Sequence, residues 1–374
     1  MPEKPAVTIE TVTTKKQMKE FVKFTYKLYK NDPNWVPQLL MDDYRKLNRQ
    51  KHPFWKHAAG EFFLARRGGE VVGRIAGIHD RIWEETHKEK AGYWGWFESI
   101  DDEEVARKLF DAAFDFVRKR GCTRIIGPMT PNANDFIGTQ IEGFDGSPVI
   151  MMTYNPPYYD RLIQSYGNRK WKDLVAWLMD NPEIPDRLAR IMPRVEAKGG
   201  FKIRTLNMKD FNREYDRFQE LYNSYEQVNA VYTPFTPEEL AATAKDLKMG
   251  IDPDLVFFAE VEGKIVGVSL TMPDFNVAYK KAYGRLFPLG LYYLLTGKKR
   301  TNLCRTLSMG VLKDYRNRGI DLAFYYHSYK NGVPKGYTAV EMSWVEEDNA
   351  AMTNTATKLG GKAYRKYRVY EKAL

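Results

Sequence analysis

The chain has 374 residues, of which 43% are hydrophobic and 14% aromatic, and this composition excludes an intrinsically disordered protein. Its formal charge of +10 favours anionic partners, a class that includes nucleic acid, a membrane surface and a phosphorylated cofactor. Because the sequence has no long run of Lys and Arg, nucleic acid is not an expected partner. Two cysteines give no disulfide framework, which favours a reducing cytoplasm.

The most apolar stretch, residues 286–295, contains Pro288 and Gly290. It is far shorter than the roughly 20 residues that span a bilayer. We interpret it as a lid or a core segment; a membrane-surface role together with the basic residues 298–300 is the alternative. No signal peptide is recognisable at the start, so we expect a cytoplasmic protein without a membrane span.

The first elements in chain order are a short strand from residue 9 and a helix in which Phe21 and Phe24 recur at helical spacing. Residues 63–77 then predict a β-hairpin, because two apolar runs flank a turn that contains glycine. A further helix and strand occupy residues 105–126. This alternation of strands and helices predicts an α/β fold, with a mixed sheet covered by helices on both faces.

The same order returns in the second half of the chain. At one constant shift, the hairpin residues Ala65 and Gly73 fall on Ala259 and Gly267, and the preceding strand and helix also coincide. Two matches at one shift indicate a duplication.

Breaker residues mark the boundary between the two copies. Residues 180–200 contain three prolines and the pair Gly199–Gly200, which interrupt regular structure. We therefore assign the copies to domains at residues 1–185 and 200–374. The first copy has an insertion that includes residues 132–145, a polar and aromatic segment that is a candidate for substrate binding.

One turn of the second copy has the properties of a phosphate site. Residues 306–311 predict a strand and residues 322–329 an amphipathic helix, and the connection contains Arg316, Arg318 and Gly319. Free N–H groups and the positive end of a helix dipole favour a pyrophosphate at such a turn.

This turn resembles the acyl-CoA motif of the GCN5-related N-acetyltransferase (GNAT) superfamily, in which Gln/Arg-x-x-Gly-x-Gly/Ala follows a strand. Arg316 and Gly319 match the pattern, whereas Asp321 stands where the family prefers Gly or Ala. The later strand, Asn349 and the closing Leu359–Gly360 also follow the family's order of elements. The resemblance implies two tandem GNAT-like domains, of which the first is degenerate.

The resemblance further implies that acetyl-CoA or another acyl-CoA is the cosubstrate. The residues implied to bind it are Val311, Arg316, Asn317, Arg318, Gly319, Ile320, Asp321 and Asn349. Asn349 also has the pattern of a helix N-cap, and the two roles are compatible. Residues 225–232 occupy the region in which the family recognises its acceptor. No metal site is expected.

The corresponding turn of the first copy has a different charge. Residues 101–104 are all acidic, and no glycine or basic residue accompanies them. Such a segment is a good helix cap, but it repels a pyrophosphate. We therefore expect the first copy to have lost cofactor binding.

The catalytic residues are less clearly indicated. The superfamily's usual acid is a tyrosine four residues before the glycine of the last helix, and that position is Ala356 here. Tyr364 and Tyr367 are the candidate substitutes, with packing as the alternative role. Glu341, in an apolar strand, is a candidate general base, with a salt bridge as the alternative. Cys304 has no histidine nearby in sequence and is interpreted as a structural thiol.

These observations lead to one principal function and two alternatives. The principal hypothesis is an N-acyltransferase that transfers an acyl group from acyl-CoA to a small-molecule or peptide amine. The alternatives are a non-catalytic acyl-CoA-binding or interaction protein, and a Fem-like aminoacyl-tRNA-dependent ligase. The basic charge suits the ligase, but the intact acyl-CoA turn argues against it. A homodimer is left open.

Overall fold

The structure, a computed structural model, describes residues 5–181, 183–224 and 230–374. It contains two compact units, each formed from more than one segment of chain. The first runs to Leu174 and includes Tyr283–Leu286 and Arg365–Leu374, and the second comprises Val175–Ala282 and Phe287–Tyr364. The assignment of the sequence copies to residues 1–185 and 200–374 stays a prediction, because compactness and descent from one ancestral unit are different properties.

The first unit alternates strands with helices. Its strands are β1 (Val7–Thr11), β2 (Ala58–Arg67), β3 (Glu70–Asp80), β4 (Ala91–Ser99), β5 (Arg124–Gly127), β6 (Met129–Thr130), β7 (Phe136–Ile137), β8 (Thr139–Glu142) and the beginning of β9 (Arg169–Met179). Its helices are α1 (Lys15–Leu28), α2 (Leu40–Lys46), α3 (Arg81–His87), α4 (Glu103–Arg118) and α5 (Tyr159–Ser165).

The second unit repeats this alternation. Its helices are α6 (Asp186–Gly199), α7 (Phe211–Ser224), α8 (Pro237–Leu247), α9 (Asn276–Ala282), α10 (Gly290–Thr296), α11 (Ile320–Gly332) and α12 (Ala350–Lys358). Its strands are β10 (Lys202–Thr205), β11 (Val256–Val261), β12 (Lys264–Pro273), β13 (Leu303–Val311), β14 (Ala339–Glu346) and the beginning of β15 (Lys362–Ala373), which ends in the first unit.

The sheet of the first unit changes direction after four strands. Strands β1 to β4 pair antiparallel in chain order, and β5 then joins β4 in parallel. Helix α4 packs on this sheet through an apolar face that includes Leu109, Phe110 and Phe114. Burial of side chains of this size contributes about 1.5–3 kcal/mol each, so this face is sufficient to hold the helix in place.

The second unit has the same strand order. Strands β10 to β13 pair antiparallel, and β14 joins β13 in parallel. In the two hairpins Ala65 pairs with Gly73 and Ala259 pairs with Gly267, and a register shift follows immediately in both. The duplication and the mixed α/β sheet expected from the sequence are confirmed.

Helix α6 lies within residues 180–200, where the prolines and glycines predict the boundary between the two copies. Leu188 and Met192, four residues apart, are buried and pack in the cluster that contains Phe324 of α11. Pro193 lies inside the helix. Its missing N–H disfavours an isolated helix, and the amphipathic packing offsets that cost.

Residues 286–295 are only partly buried. The side chains of Phe287, Leu289 and Leu295 are exposed, so the interpretation of this stretch as a core segment is wrong. Within the described part of the chain, no helix combines the length and the apolarity that a membrane crossing requires.

Strand β6 packs directly on β4 at Gly95. A Cβ atom on Gly95 would lie 1.9 Å from the carbonyl oxygen of Met129. We predict that Gly95→Ala lowers the free energy of unfolding by roughly 1–3 kcal/mol, because the backbone must shift to admit the methyl group. Urea denaturation measures this change.

Gly332→Ala is the matched control. A Cβ atom there would lie 3.4 Å from its nearest neighbour, Leu255, which is an ordinary contact. Because alanine is also the better helix former, stability should be unchanged or slightly raised. Equal losses in the two variants would contradict the close approach of β6 to β4.

Candidate active site

A cleft in the second unit begins where two parallel strands stop pairing. The ladder between β13 and β14 runs from Leu303 opposite Ala339 to Thr306 opposite Met342. Beyond these pairs, residues 306–311 and 342–346 line a cleft of about 1110 Å³. That volume exceeds the pockets that hold drug-sized ligands, which are roughly 300–1,000 Å³.

A β-bulge lies at the point of separation. Ser308 of β13 pairs with Leu270 of β12, while Thr306 pairs with the next residue, Thr271. Leu307 is therefore the extra residue. A bulge leaves its residue outside the ladder and bends the strand, so β13 turns from β14 and offers unpaired backbone groups to the cleft.

The turn after β13 ends at an uncapped helix. Gly319 is the N-cap residue of α11 and has φ 86°, a left-handed conformation that favours glycine. No side chain among the described residues caps this helix, so its first N–H groups are available to an anion. A Cβ atom on Gly319 would also lie 2.4 Å from Val195.

Most of the residues implied to bind acyl-CoA lie at this cleft. The lining includes Val311, Arg316, Asn317, Gly319, Ile320, Asp321 and Asn349. The Nε of Arg316 donates to the carbonyl oxygen of Val311 at 3.2 Å, which holds the turn against the end of β13. The Oδ1 of Asn349 accepts from the N–H of Met352 at 3.1 Å, so Asn349 caps α12 and faces the cleft.

Arg318 differs from its neighbours. Its guanidinium lies over the ring of Tyr315, 4.8 Å from the centroid, and it is not among the described residues that line the cleft. Its positive charge still lies on the turn.

Glu341 is completely buried in a polar network. Its Oε1 accepts from the hydroxyl of Ser343 and lies 3.8 Å from the Nε of Arg305, and its Oε2 accepts from the hydroxyl of Tyr364. The salt bridge considered as the alternative role is therefore present. Of these four residues only Ser343 lines the cleft. Its hydroxyl is therefore the hydrogen-bonded link between the buried Glu341 carboxylate and the cleft.

Tyr367 lies in a different place. It belongs to the first compact unit, is fully buried, and pairs with Gln140 of β8. Ala356, which stands where the superfamily has its acid, is buried against Met179 and Met342.

Several residues of the cleft were missed from the sequence. Arg187 and Leu188 of α6 and Tyr222 of α7 all line it. The spacing of Leu188 and Met192 was the available signal for α6, but the nearby prolines and glycines obscured it. Residues 225–229 of the expected acceptor region lie outside the described residues, and Tyr232 lines the cleft.

The corresponding turn of the first unit is closed by its own side chains. The Asp102 carboxylate caps α4 by accepting from the N–H groups of Glu104 and Val105. Arg67 pairs with both Asp102 and Glu104. The N–H of Trp96 donates to Thr130 of β6 at 3.1 Å, so β6 occupies the space beside β4.

Solved structures share this architecture. A tandem GNAT protein from the clavulanic acid biosynthesis pathway has a TM-score of 0.56 at 12% identity, covering 98% of this chain and 98% of that chain. A GCN5-related N-acetyltransferase from Sphaerobacter thermophilus has a TM-score of 0.53 at 14% identity, covering 98% and 95%. At these identities the similarity shows the fold alone. The protein therefore has the tandem GNAT fold, as the sequence motif implied.

No protein-family model matches the chain, but two relatives match it almost end to end. Bacterial ceramide synthase of Caulobacter vibrioides (strain NA1000 / CB15N) is 35% identical over 371 residues, which cover 97% of this chain and 96% of that protein. Protein YghO of Escherichia coli (strain K12) is 32% identical over 374 residues, covering 98% and 95%. The chain belongs to the family of these two proteins.

The two thiols are predicted to be unreactive in the folded protein. Burial raises the pKa of Cys122 to about 11 and raises that of Cys304 well above its usual range. With a pKa near 11, roughly one Cys122 thiol in a thousand is ionised at pH 8. We expect iodoacetamide at pH 8 to leave both cysteines unmodified in native protein, as measured by intact mass.

The same labelling in 6 M urea is the control, in which both thiols should react. Rapid modification of Cys304 in native protein would contradict its assignment as a structural thiol.

Proposed function

We propose that the protein is an acyl-CoA-dependent N-acyltransferase whose reaction takes place in the cleft of the second unit. The observation that carries this proposal is the separation of β13 from β14 directly beside the uncapped start of α11. One end of the cleft thus suits a pyrophosphate, and the opening between the strands suits an extended chain.

The turn supplies the anion-binding groups. The N–H groups at the start of α11 and the guanidinium of Arg316 provide donors and positive charge for the phosphates. Asp321, in the first turn of the same helix, adds a negative charge there. Its effect is limited because the positive charge of Arg316 and the helix terminus act on the same ligand.

The proposed acceptor is a long-chain amino alcohol. A ceramide is the amide of a fatty acid with such an amine, and the relative that is 35% identical over nearly the whole chain is named for the synthesis of ceramide. Apolar side chains that include Leu188, Leu307, Met309 and Leu359 line the cleft. They offer a surface that suits hydrocarbon chains.

The transfer joins the amine nitrogen to the thioester carbonyl carbon while the carbon–sulfur bond breaks. The amine loses one proton, and the departing thiolate takes one up. Ser343 faces the cleft and is hydrogen-bonded to Glu341, so we assign Ser343 as the group that contacts the amine. Glu341 receives the proton through it. Tyr364 and Arg305 hold the Glu341 carboxylate in position.

Acyl-CoA binding is the first test. Palmitoyl-CoA at about 100 times its Kd should stabilise the protein by about 2.7 kcal/mol, and differential scanning fluorimetry should show a rise of roughly 3–7 °C in Tm. Gly319→Glu should abolish the rise, and Arg316→Ala should weaken binding about tenfold. Thiol release with 2-amino-octadecane-1,3-diol then measures turnover, and Glu341→Gln should lower kcat about 100-fold.

The matched control is Gly336→Glu, which places the same side chain at another glycine with positive φ and nothing near its Cβ. It should keep both binding and turnover. Binding without thiol release for any amine would favour the non-catalytic protein. No rise in Tm with palmitoyl-CoA or acetyl-CoA would contradict the proposal.

A further inference from the structure

The first unit contains a cavity of about 180 Å³ of its own. Helices α1 and α2, strands β3 and β4 and the insertion of the first copy all contribute to its wall. The wall is strongly aromatic and includes the rings of Tyr26, Trp35, Trp96, Phe136 and Tyr154. Phe136 lies within residues 132–145, the segment that the sequence singled out for substrate binding.

This cavity lies at the bulge of β4. Arg74 pairs with Glu98 and Ala76 pairs with Gly95, so Trp96 and Phe97 together face a single residue of β3. The bulge is the counterpart of the one at Leu307 in the second unit. Trp96 has φ 48°, a left-handed conformation that is uncommon for a tryptophan; such conformations occur at ligand sites as well as in turns.

The charged groups of the cavity do not balance. Arg74 lies 3.7 Å from the Glu98 carboxylate and donates to the carbonyl oxygen of Phe21. Glu98 also accepts from the hydroxyls of Tyr29 and Tyr159. The guanidinium is thus paired with the Glu98 carboxylate, and the second carboxylate of the wall is Asp43.

Asp43 has no compensating ion pair. Nearby Lys46 pairs with Asp135 at 2.6 Å, and Arg45 pairs with Asp42 at 3.0 Å. Among the described residues, no side chain forms an ion pair or hydrogen bond with the Asp43 carboxylate. Burial raises the pKa of Asp43 to about 6, although the charges of Arg74 and Lys46 act to lower it. At pH 7.5 this carboxylate is therefore largely ionised, and no ion pair among the described residues neutralises it.

We propose that this cavity binds a small organic ammonium ion. An ammonium group is attracted to aromatic faces and to a desolvated carboxylate, and the cavity offers both. Strand β6 packs on β4 at Gly95, and Thr130 of β6 also lines this cavity. The site is separate from the proposed function and does not require that function to be correct.

Three probes of equal size but different charge test the assignment. Isothermal titration calorimetry of the full chain at pH 7.5 would compare n-butylammonium, 1-butanol and butyrate. We expect n-butylammonium to bind at least tenfold more tightly than the alcohol, and butyrate not to bind. If butyrate binds more tightly than n-butylammonium, the site holds an anion through Arg74. If 1-butanol binds as tightly as n-butylammonium, the cavity is only apolar. Either result overturns the proposal.

Two variants locate the binding. Asp43→Asn has nearly the same shape and should weaken n-butylammonium about tenfold, the loss expected for one charge-assisted hydrogen bond. Asp42→Asn, one residue away and not in the cavity wall, is the matched control and should leave binding within twofold. Unchanged affinity in Asp43→Asn would overturn the proposal.

A third variant separates this proposal from the proposed function. Gly319 belongs to the second unit. The Gly319→Glu variant should therefore fail to bind acyl-CoA but should still bind n-butylammonium. Loss of n-butylammonium binding in that variant as well would place the ligand outside the cavity.

A different observation concerns the exposed apolar residues of the second unit. Of the nine large hydrophobic side chains that are exposed among the described residues, four lie close together in sequence: Phe287, Leu289, Tyr292 and Leu295. Their exposed fractions are 54–69%. Such a concentration is unusual for surface that faces only water.

The charge around these residues has one sign. Residues 275–302 contain no Asp or Glu, and helix α9, which packs against α10, ends with the exposed Lys280 and Lys281. Lys299 and Arg300 are exposed after α10, and the guanidinium of Arg300 lies 5.5 Å from the ring centroid of Tyr292. Exposed Phe, Leu and Tyr beside basic residues are typical of segments that lie in a bilayer interface.

We infer that this surface, residues 287–297 with Lys280, Lys281, Lys299 and Arg300, docks on an anionic lipid bilayer. Sedimentation with vesicles of phosphatidylcholine and 30% phosphatidylglycerol should pull down the full chain, and pure phosphatidylcholine vesicles should bind it at least tenfold more weakly. High salt should weaken binding to the anionic vesicles.

Substitution of the exposed apolar residues is the second test of vesicle binding. Phe287→Ser with Leu295→Ser should reduce binding to anionic vesicles about tenfold or more, whereas Met249→Ser, at an exposed methionine elsewhere in this unit, should not. Unchanged vesicle binding in the double variant would overturn the inference. So would a change of oligomeric state in that variant without loss of vesicle binding, because the surface would then be a protein interface.

Discussion

Strands β13 and β14 are parallel neighbours, yet they pair only from Leu303 to Thr306. Further pairing would satisfy more backbone groups, but the pairing stops at Thr306, next to the bulge at Leu307. Unpaired backbone is tolerated where it is accessible to solvent or to a ligand, and here it borders an open cleft. The uncapped start of α11 lies beside the same cleft, so two sets of unsatisfied groups meet a single ligand space. The proposed chemistry of the second unit depends on this interruption of the sheet.

The first unit shows how the same fold loses that property. Its strand order and its bulge are retained, but β6 packs on Gly95 and the Asp102 carboxylate satisfies the start of α4. Backbone groups that would otherwise be available to a ligand are thus paired within the protein. This unit also contains the cavity that Trp96 and Glu98 help to line, whose wall is aromatic and includes two carboxylates. The two units therefore have the same strand order, and the ligands that we propose for them have opposite charges.

The network around Glu341 connects stability with the proposed reaction. Arg305 and Glu341 are both almost completely buried, and removal of one partner from a buried ion pair costs about 3–5 kcal/mol because the other charge is left unpaired. The hydrogen bonds from Ser343 and Tyr364 further restrict the carboxylate. A rigid carboxylate behind a serine hydroxyl is a suitable device for positioning that hydroxyl.

The duplication, the mixed sheet and the glycine turn before α11 could be predicted because each depends on local spacing. The match of Ala65 and Gly73 with Ala259 and Gly267 reflects one hairpin geometry, and the glycine at 319 reflects a φ that other residues seldom adopt. Helix α6 escaped prediction because its stability comes from packing on α11, which outweighs the cost of Pro193.

The sequence by itself determined which units form, in which order, and which of the two carries a basic turn. Only the tertiary structure decided what each charged side chain faces. Arg305 lies opposite Glu341 on the neighbouring strand, and Asp43, Trp35 and Arg74 line the wall of one cavity. Such partners are distant in the chain, and their pairing depends on the long-range packing of strands and helices, which local spacing does not encode.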